Sequence, residues 1–176
     1  MKTCLYKLLK LLSTVSVLAA MTLAFLLAGI RLFGFEIYTV LSGSMEPAYR
    51  TGALIYVKEV NPEELQVGDV ITFRMSGGVT ATHRIVELVE DEKNFGKVCF
   101  RTKGDANNVS DGSLVEQTAV IGSPVFTIPY LGFLASYIQT ASGKFMMLSV
   151  CSGILFFTFI PELLFGMKEK KAKTSA

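Results

Sequence analysis

Ser44, His83, Asp105 and Asp111 stand out among the side chains able to attack a carbonyl or move a proton. Ser44 lies in Leu41-Ser42-Gly43-Ser44-Met45-Glu46-Pro47, where Gly43 permits a sharp backbone path and Pro47 stiffens the exit. That path can present the Ser44 hydroxyl with its own amide aimed at the same space. A serine hydroxyl is hardly ionised near neutral pH and needs help to become a nucleophile. His83, in Ala81-Thr82-His83-Arg84-Ile85, is the single histidine of the chain. In a metal-free hydrolase the base is His83, a desolvated lysine or a carboxylate. Asp105 and Asp111 share a loop dense in turn formers, Lys103 to Gly112. Either aspartate could accept the second ring proton of His83, which fixes the tautomer and stabilises the imidazolium. Taken singly, each has a plainer reading: a polar turn at Ser44, a structural histidine, an Asx turn. It is the combination that carries weight.

The elements around these residues read as β-structure. Ala53 to Val57 and Asp69 to Phe73 are short β-rich runs bounded by Gly52 and Gly68. Val79 to Val89 is a longer one, ending in the charged turn Glu90 to Asn94, and Lys97 to Lys103 and Thr118 to Thr127 read as two more. Short strands with turn signals at regular spacing predict a mostly antiparallel sheet or barrel. Pro62 to Asp69 reads as a tight turn or single helical turn with solvated carboxylates. Leu131, Leu134 and Ile138 have helical spacing, in a segment suited to the membrane interface.

Hydrophobic residues make up 51% of the 176 positions, and they are unevenly spread. Leu11 to Ile30 and Phe145 to Pro161 hold no charged residue. A membrane-crossing helix needs about 20 mostly apolar residues. The first run meets this, and the second does if it continues past Glu162 through Phe165. The first is also longer than the roughly 7–15 apolar residues of a cleavable secretory signal, so an uncleaved anchor is expected. Lys2, Lys7 and Lys10 precede it, and Lys168, Lys170, Lys171 and Lys173 follow the second. The opposite flanks hold Arg31 and Lys144. The excess of positive charge at both ends predicts cytoplasmic termini and an outside middle domain. The expected layout is 1–31 for the first tail and span, 32–143 for the β-rich domain, 144–167 for the second span and 168–176 for a basic tail.

The net charge of +2 comes from those tails, and the middle domain has no basic stripe with interleaved aromatics, so a nucleic-acid partner is not expected. Cys4, Cys99 and Cys151 fall in three different environments of this layout, which excludes an intrachain structural disulfide, and no zinc-ligand spacing occurs.

Ser42-Gly43-Ser44-Met45-Glu46-Pro47, Gly68-Asp69-Val70-Ile71, Thr82-His83-Arg84-Ile85-Val86, and Lys103-Gly104-Asp105-Ala106-Asn107-Asn108 with Asp111 resemble the ordered boxes of type I signal peptidases. Most bacterial members have lysine at the position of the base. His83 stands there instead, as in the endoplasmic-reticulum and archaeal type that some Gram-positive bacteria also carry. Ala106 departs from the asparagine of the eukaryotic type. The resemblance implies a small, mostly β peptidase domain flanked by N- and C-terminal transmembrane helices. It implies Ser44 as nucleophile, His83 as general base, Asp111 as the third member, and Asp105 as a second important aspartate of the same loop. Ser42 and the Ser44 amide match an oxyanion hole, whose donors are each worth about 3–4 kcal/mol of barrier.

The resemblance further implies removal of N-terminal signal peptides from exported preproteins through an acyl-enzyme. An extended substrate would pair near Ser44 and with the His83 strand, bringing it to Met45 and Thr82. Shallow apolar pockets would select small side chains at the first and third positions before the cut. The implied partners are preproteins, the lipid bilayer and the secretion translocon, and no metal or organic cofactor is required.

Three rivals are distinguishable. A Ser/Lys dyad through Lys103 or Lys58 would need a desolvated lysine and would survive loss of His83. An inactive membrane-tethered β-domain could scaffold a secretion or pilus assembly. A pore subunit is disfavoured by spans whose only charge is Glu162, near one end.

Overall fold

The computed structural model describes residues 2–75, 77–90 and 98–174. Three helices lie among them: α1 over Lys2–Leu27, α2 over Leu131–Gln139 and α3 over Ala141–Thr174. Seven strands lie between α1 and α2: β1 Phe35–Thr39, β2 Leu54–Lys58, β3 Val70–Arg74, β4 Thr80–Glu90, β5 Val98–Lys103, β6 Val115–Glu116 and β7 Val120–Ile128. The chain divides into two compact units, one of Met1–Gly29 with Tyr137–Ala176 and one of Ile30–Ser136.

In the second unit the strands form one antiparallel sheet in the order β1-β2-β7-β3-β4-β5-β6. The sequence reading contains no strand before Ala53. β1 is an addition, its alternating Phe35-Glu36-Ile37-Tyr38-Thr39 masked by the apolar run ahead of it. Gln117–Ala119 is a 3-10 turn, so β7 starts two residues later than the expected Thr118. Pro62–Glu64 is another such turn, with Asn61 accepting a hydrogen bond from Glu63 N at 3.2 Å. Of the charged turn predicted after β4, positions 91–94 lie outside the described residues.

The core follows from strand alternation. Ile71 and Phe73 of β3, Ile85 of β4, Phe100 of β5 and Val115 of β6 pack together with Leu65. Ile71, Ile85 and Phe100 are at most 1% exposed; burying each contributes about 1.5–3 kcal/mol. Leu54 to Val57 of β2, paired with β1 on one side and β7 on the other, are buried on both faces. Together they make a stiff sheet from which His83 projects.

In the first unit, one helix among the described residues is long and apolar enough to cross a membrane, over Lys10–Leu27. Its Ser13, Thr14, Ser16 and Thr22 hydroxyls each donate to a carbonyl three or four residues back, at 2.9 Å. No hydroxyl of that set needs an outside partner. The apolar part of α3 is shorter, Ala141–Phe156.

Candidate active site

Ser44 sits in the turn between β1 and β2. The neck of that turn is closed by Val40 N donating to Ala53 O at 2.9 Å and Gly52 N donating to Val40 O at 2.8 Å. Gly52 has φ +83°, and a Cβ there would lie 1.9 Å from the Phe133 ring, so a side chain is excluded on both counts. Glu46 N donates to Gly43 O at 3.0 Å and Tyr49 N to Met45 O at 2.9 Å, which coils the segment around the buried Met45 side chain. The loop after β5 then grips the nucleophile candidate directly. Ala106 N donates to Ser44 O at 2.8 Å. A Cβ on Gly104 would stand 2.5 Å from Ser44 O and 3.0 Å from Ser44 Cβ, so glycine there is required by the close approach of two backbones.

His83 is positioned by a strand. It pairs with Ile71 of β3, while its neighbour Arg84 pairs with Val70 of β3 and Lys103 of β5. The Phe73 ring lies edge-on at 6.3 Å. From this strand Nε2 reaches Ser44 Oγ at 3.2 Å and Nδ1 reaches Asp111 Oδ2 at 2.6 Å. With the proton on Nδ1 donated to the carboxylate, Nε2 offers its lone pair to the Ser44 hydroxyl. Ser42 Oγ lies 3.3 Å from Ser44 Oγ. Asp111 is held in turn by Thr102. The Asp111 amide donates to Thr102 O at 2.8 Å, and the Thr102 hydroxyl donates to Asp111 Oδ2 at 2.6 Å.

Asp105 is placed differently. Its carboxylate takes two bonds from the Arg84 guanidinium, at 2.8 and 2.7 Å, and a third guanidinium nitrogen donates to Gly68 O at 2.8 Å. The bidentate bond to Arg84 holds the Asp105 carboxyl below the usual aspartate range, against an opposing effect of partial burial, and raises Arg84 in return. Arg84 thus ties the Gly68 turn and the Asp105 loop to β4. The structure therefore brings Ser44, His83 and Asp111 into one hydrogen-bonded line, with Ser42 beside it. Asp105 lies outside that line.

A groove of about 200 Å³ runs past Ser44, floored by Met45 and Ile55 and walled by Tyr38, Leu41, Val79 and Ala81. Its two long sides are strand segments that have a free edge among the described residues: there β1 pairs with β2 alone, and β5 pairs with β4 from Arg84 onward, leaving Thr80 to His83 unpaired on that side. Such edges can hold an extended peptide through main-chain bonds. Thr82 lines the groove, but its hydroxyl is bonded to Thr72 Oγ1 at 2.9 Å. The Tyr38 hydroxyl donates to Glu36, and burial together with that bond pushes the phenol up to about 12, so it stays neutral. Among the described residues no group of three His, Cys, Asp or Glu side chains is arranged to hold a metal ion.

Tyr38, Arg84 and Thr102 are site residues to which sequence reasoning gave no role. Thr102 has no local signal, because a threonine inside a β-rich run reads as an ordinary strand former. Arg84 did stand inside one of the quoted boxes, and a basic residue beside a candidate base was the available hint.

Serine and carboxylate held in turns on either side of an imidazole from an antiparallel sheet, in hydrogen-bonded sequence beside a groove, have the arrangement of a serine-hydrolase site. Residues 12–125 match the family described as signal peptidase, peptidase S26, and the chain belongs to that family. It is similar to signal peptidase I W of Bacillus subtilis, 46% identical over 89 residues, covering 50% of this chain and 45% of that one. It is also similar to the human signal peptidase complex catalytic subunit SEC11C, 33% identical over 106 residues, covering 56% of this chain and 54% of the other. A putative human subunit, SEC11B, is 34% identical over 101 residues, covering 53% and 60%. The chain matches about half the length of these curated relatives. Likeness to the SEC11 subunits and to signal peptidase I W places it in the endoplasmic-reticulum and archaeal-like branch.

Proposed function

We propose that this protein is a membrane-bound serine endopeptidase that removes N-terminal signal peptides from exported preproteins, with Ser44 as nucleophile and His83 as general base. The observation that carries the reading is the line from Ser44 Oγ to His83 Nε2, 3.2 Å, and from His83 Nδ1 to Asp111 Oδ2, 2.6 Å. His83 takes the Ser44 proton as the oxygen attacks the scissile carbonyl. The Ser44 amide and the Ser42 hydroxyl stabilise the oxyanion, His83 returns the proton to the leaving amine, and water then hydrolyses the acyl-enzyme with His83 again as base. Asp111 orients the imidazole and offsets its positive charge. Asp105, through Arg84, keeps the loop that bears Asp111 and touches Ser44 in place. The substrate lies extended in the groove, near Met45 and along the Thr82 backbone, with room for small side chains ahead of the cut.

The same reading makes α1 and the apolar part of α3 two membrane spans, with both termini cytoplasmic. The layout is 1–31, 32–143, 144–167 and 168–176, as anchor, peptidase domain, second span and basic tail. Lys10–Leu27 and its self-satisfied hydroxyls support the first span. The uncharged Phe145 to Pro161 and the lysines beyond it support the second. The lipid bilayer and the secretion translocon are then its neighbours, and preproteins its substrates.

The test is cleavage of a labelled preprotein by the detergent-solubilised chain, comparing wild type with Ser44→Ala, His83→Ala and His83→Lys. Wild type is expected to cut after a small-x-small motif, and both alanine variants to lose cleavage. Wild-type cutting by Ser44→Ala would overturn the assignment. Binding of preprotein without cleavage by wild type would favour the scaffold reading.

A further inference from the structure

We propose that Thr102 is a positioning residue for Asp111, its carbonyl and hydroxyl together clamping that residue so that Oδ2 faces His83. The inference rests on the Ser44-His83-Asp111 reading and extends it to a residue that touches neither substrate nor the base.

Asp111 belongs to a segment with no regular secondary structure between β5 and β6. Segments of that kind are more mobile than the strands they join, yet the bond to His83 requires one carboxylate oxygen at a fixed place. Thr102 supplies the missing constraint from the sheet. It lies on β5, opposite Ile85 of β4 and two residues beyond His83 in register, and it is fully buried. Its carbonyl accepts the Asp111 amide at 2.8 Å, which sets the backbone. Its hydroxyl donates to Oδ2 at 2.6 Å, the same oxygen that accepts from His83 Nδ1. Two donors from adjacent strands on one oxygen define the rotation of the carboxylate. A hydroxyl has a single proton, and this one is given to a charged acceptor, the stronger class of hydrogen bond. Without it the Asp111 side chain, 24% exposed, could turn Oδ2 toward solvent while the backbone bond stayed intact.

The test measures kcat and KM on a labelled preprotein with the full-length chain in detergent, for Thr102→Val, Thr102→Ala and Thr102→Ser, together with thermal unfolding. Serine and alanine differ by one hydroxyl and both fit the space, so this pair decides the matter even if the valine variant folds poorly. Valine and alanine are expected to lower kcat roughly tenfold with KM within about twofold, and serine to stay within about threefold of wild type. Equal losses in alanine and serine, or wild-type kcat in alanine, would overturn the proposal, as would a loss confined to KM. Ser44→Ala in the same assay separates the two layers. If it cuts like wild type, the reading of the site fails; if it is inactive while Thr102→Ala cuts at the wild-type rate, only the role of Thr102 fails.

Discussion

His83 and the pair Ser44 and Asp111 reach the same point from unlike parts of the molecule. His83 stands on β4, paired with β3 from Thr80 to Arg84, and β5 locks the strand on the other side from Arg84 onward. Beside it on the same face lie Ile71, Phe73 and Ile85, buried in the core. Its position is an average over many ladder bonds and packed contacts, so no single one decides it. Ser44 and Asp111 stand in turns, where a few long-range bonds do the same work: Ala106 N to Ser44 O, Asp111 N to Thr102 O, and the Thr102 hydroxyl to Oδ2. The lesson is one of sensitivity. Damage to the sheet should spread into stability, whereas damage to the turns should fall on activity.

The sharpest break in that comparison is Asp111→Asn. An amide in place of the carboxylate offers Nδ1 of His83 the wrong partner, and kcat is expected to fall on the order of 10³–10⁴-fold while thermal unfolding moves by only a few degrees. Gly104→Ala comes next. Its methyl would press on Ser44 O and Ser44 Cβ, and under the proposed mechanism a shift of Ser44 approaching 1 Å is expected to cost about 100-fold in kcat/KM. Unfolding measured in parallel should show a much smaller change.

On the strand side the pattern reverses. Ile71→Val removes a buried methyl directly across from His83; a loss of about 0.5–1.5 kcal/mol in stability is expected, with kcat within about twofold. A tenfold drop in kcat there would show that the strand is no stiffer than the turns. The smallest effect sharpens the role of Asp105. Because Arg84 holds its carboxyl below the ordinary 3.8, the ion pair stabilises the fold fully above that value, and the contribution disappears as pH falls through the lower folded one. Asp105→Asn should therefore cost about 1 kcal/mol near neutrality, discounted because the Arg84 side chain is 37% exposed. The gap from wild type should close as denaturation is followed below pH 3.8.

Much of the sheet was legible because strands favour β-branched and aromatic residues between turn formers. The runs around Ile55, Ile71, Ile85 and Phe100 could be read from their β-branched and aromatic residues and from the turn formers that bound them. β1 was hidden by the apolar segment before it, and β6 is only two residues long, too short for any pattern to register. At the site, Ser44 and His83 stood out by residue type. Thr102 did not, since its bond to Asp111 spans nine positions and leaves no mark on local spacing.

The amino-acid sequence by itself determined the inventory: one imidazole, a serine in a glycine-proline turn, two aspartates in one loop, an apolar N-terminal run, and four boxes in the order of a known family. Residue chemistry and local periodicity are properties of neighbours in the chain, so they can be read there. Tertiary structure alone decided which aspartate faces the imidazole. Asp105 and Asp111 are six positions apart in the same loop, and either could have turned inward. Arg84, reaching from β4, draws Asp105 to itself, and Thr102, reaching from β5, turns Asp111 toward His83. Both anchors come from strands outside the loop, and the direction of a side chain in an irregular segment is set by what it is tied to.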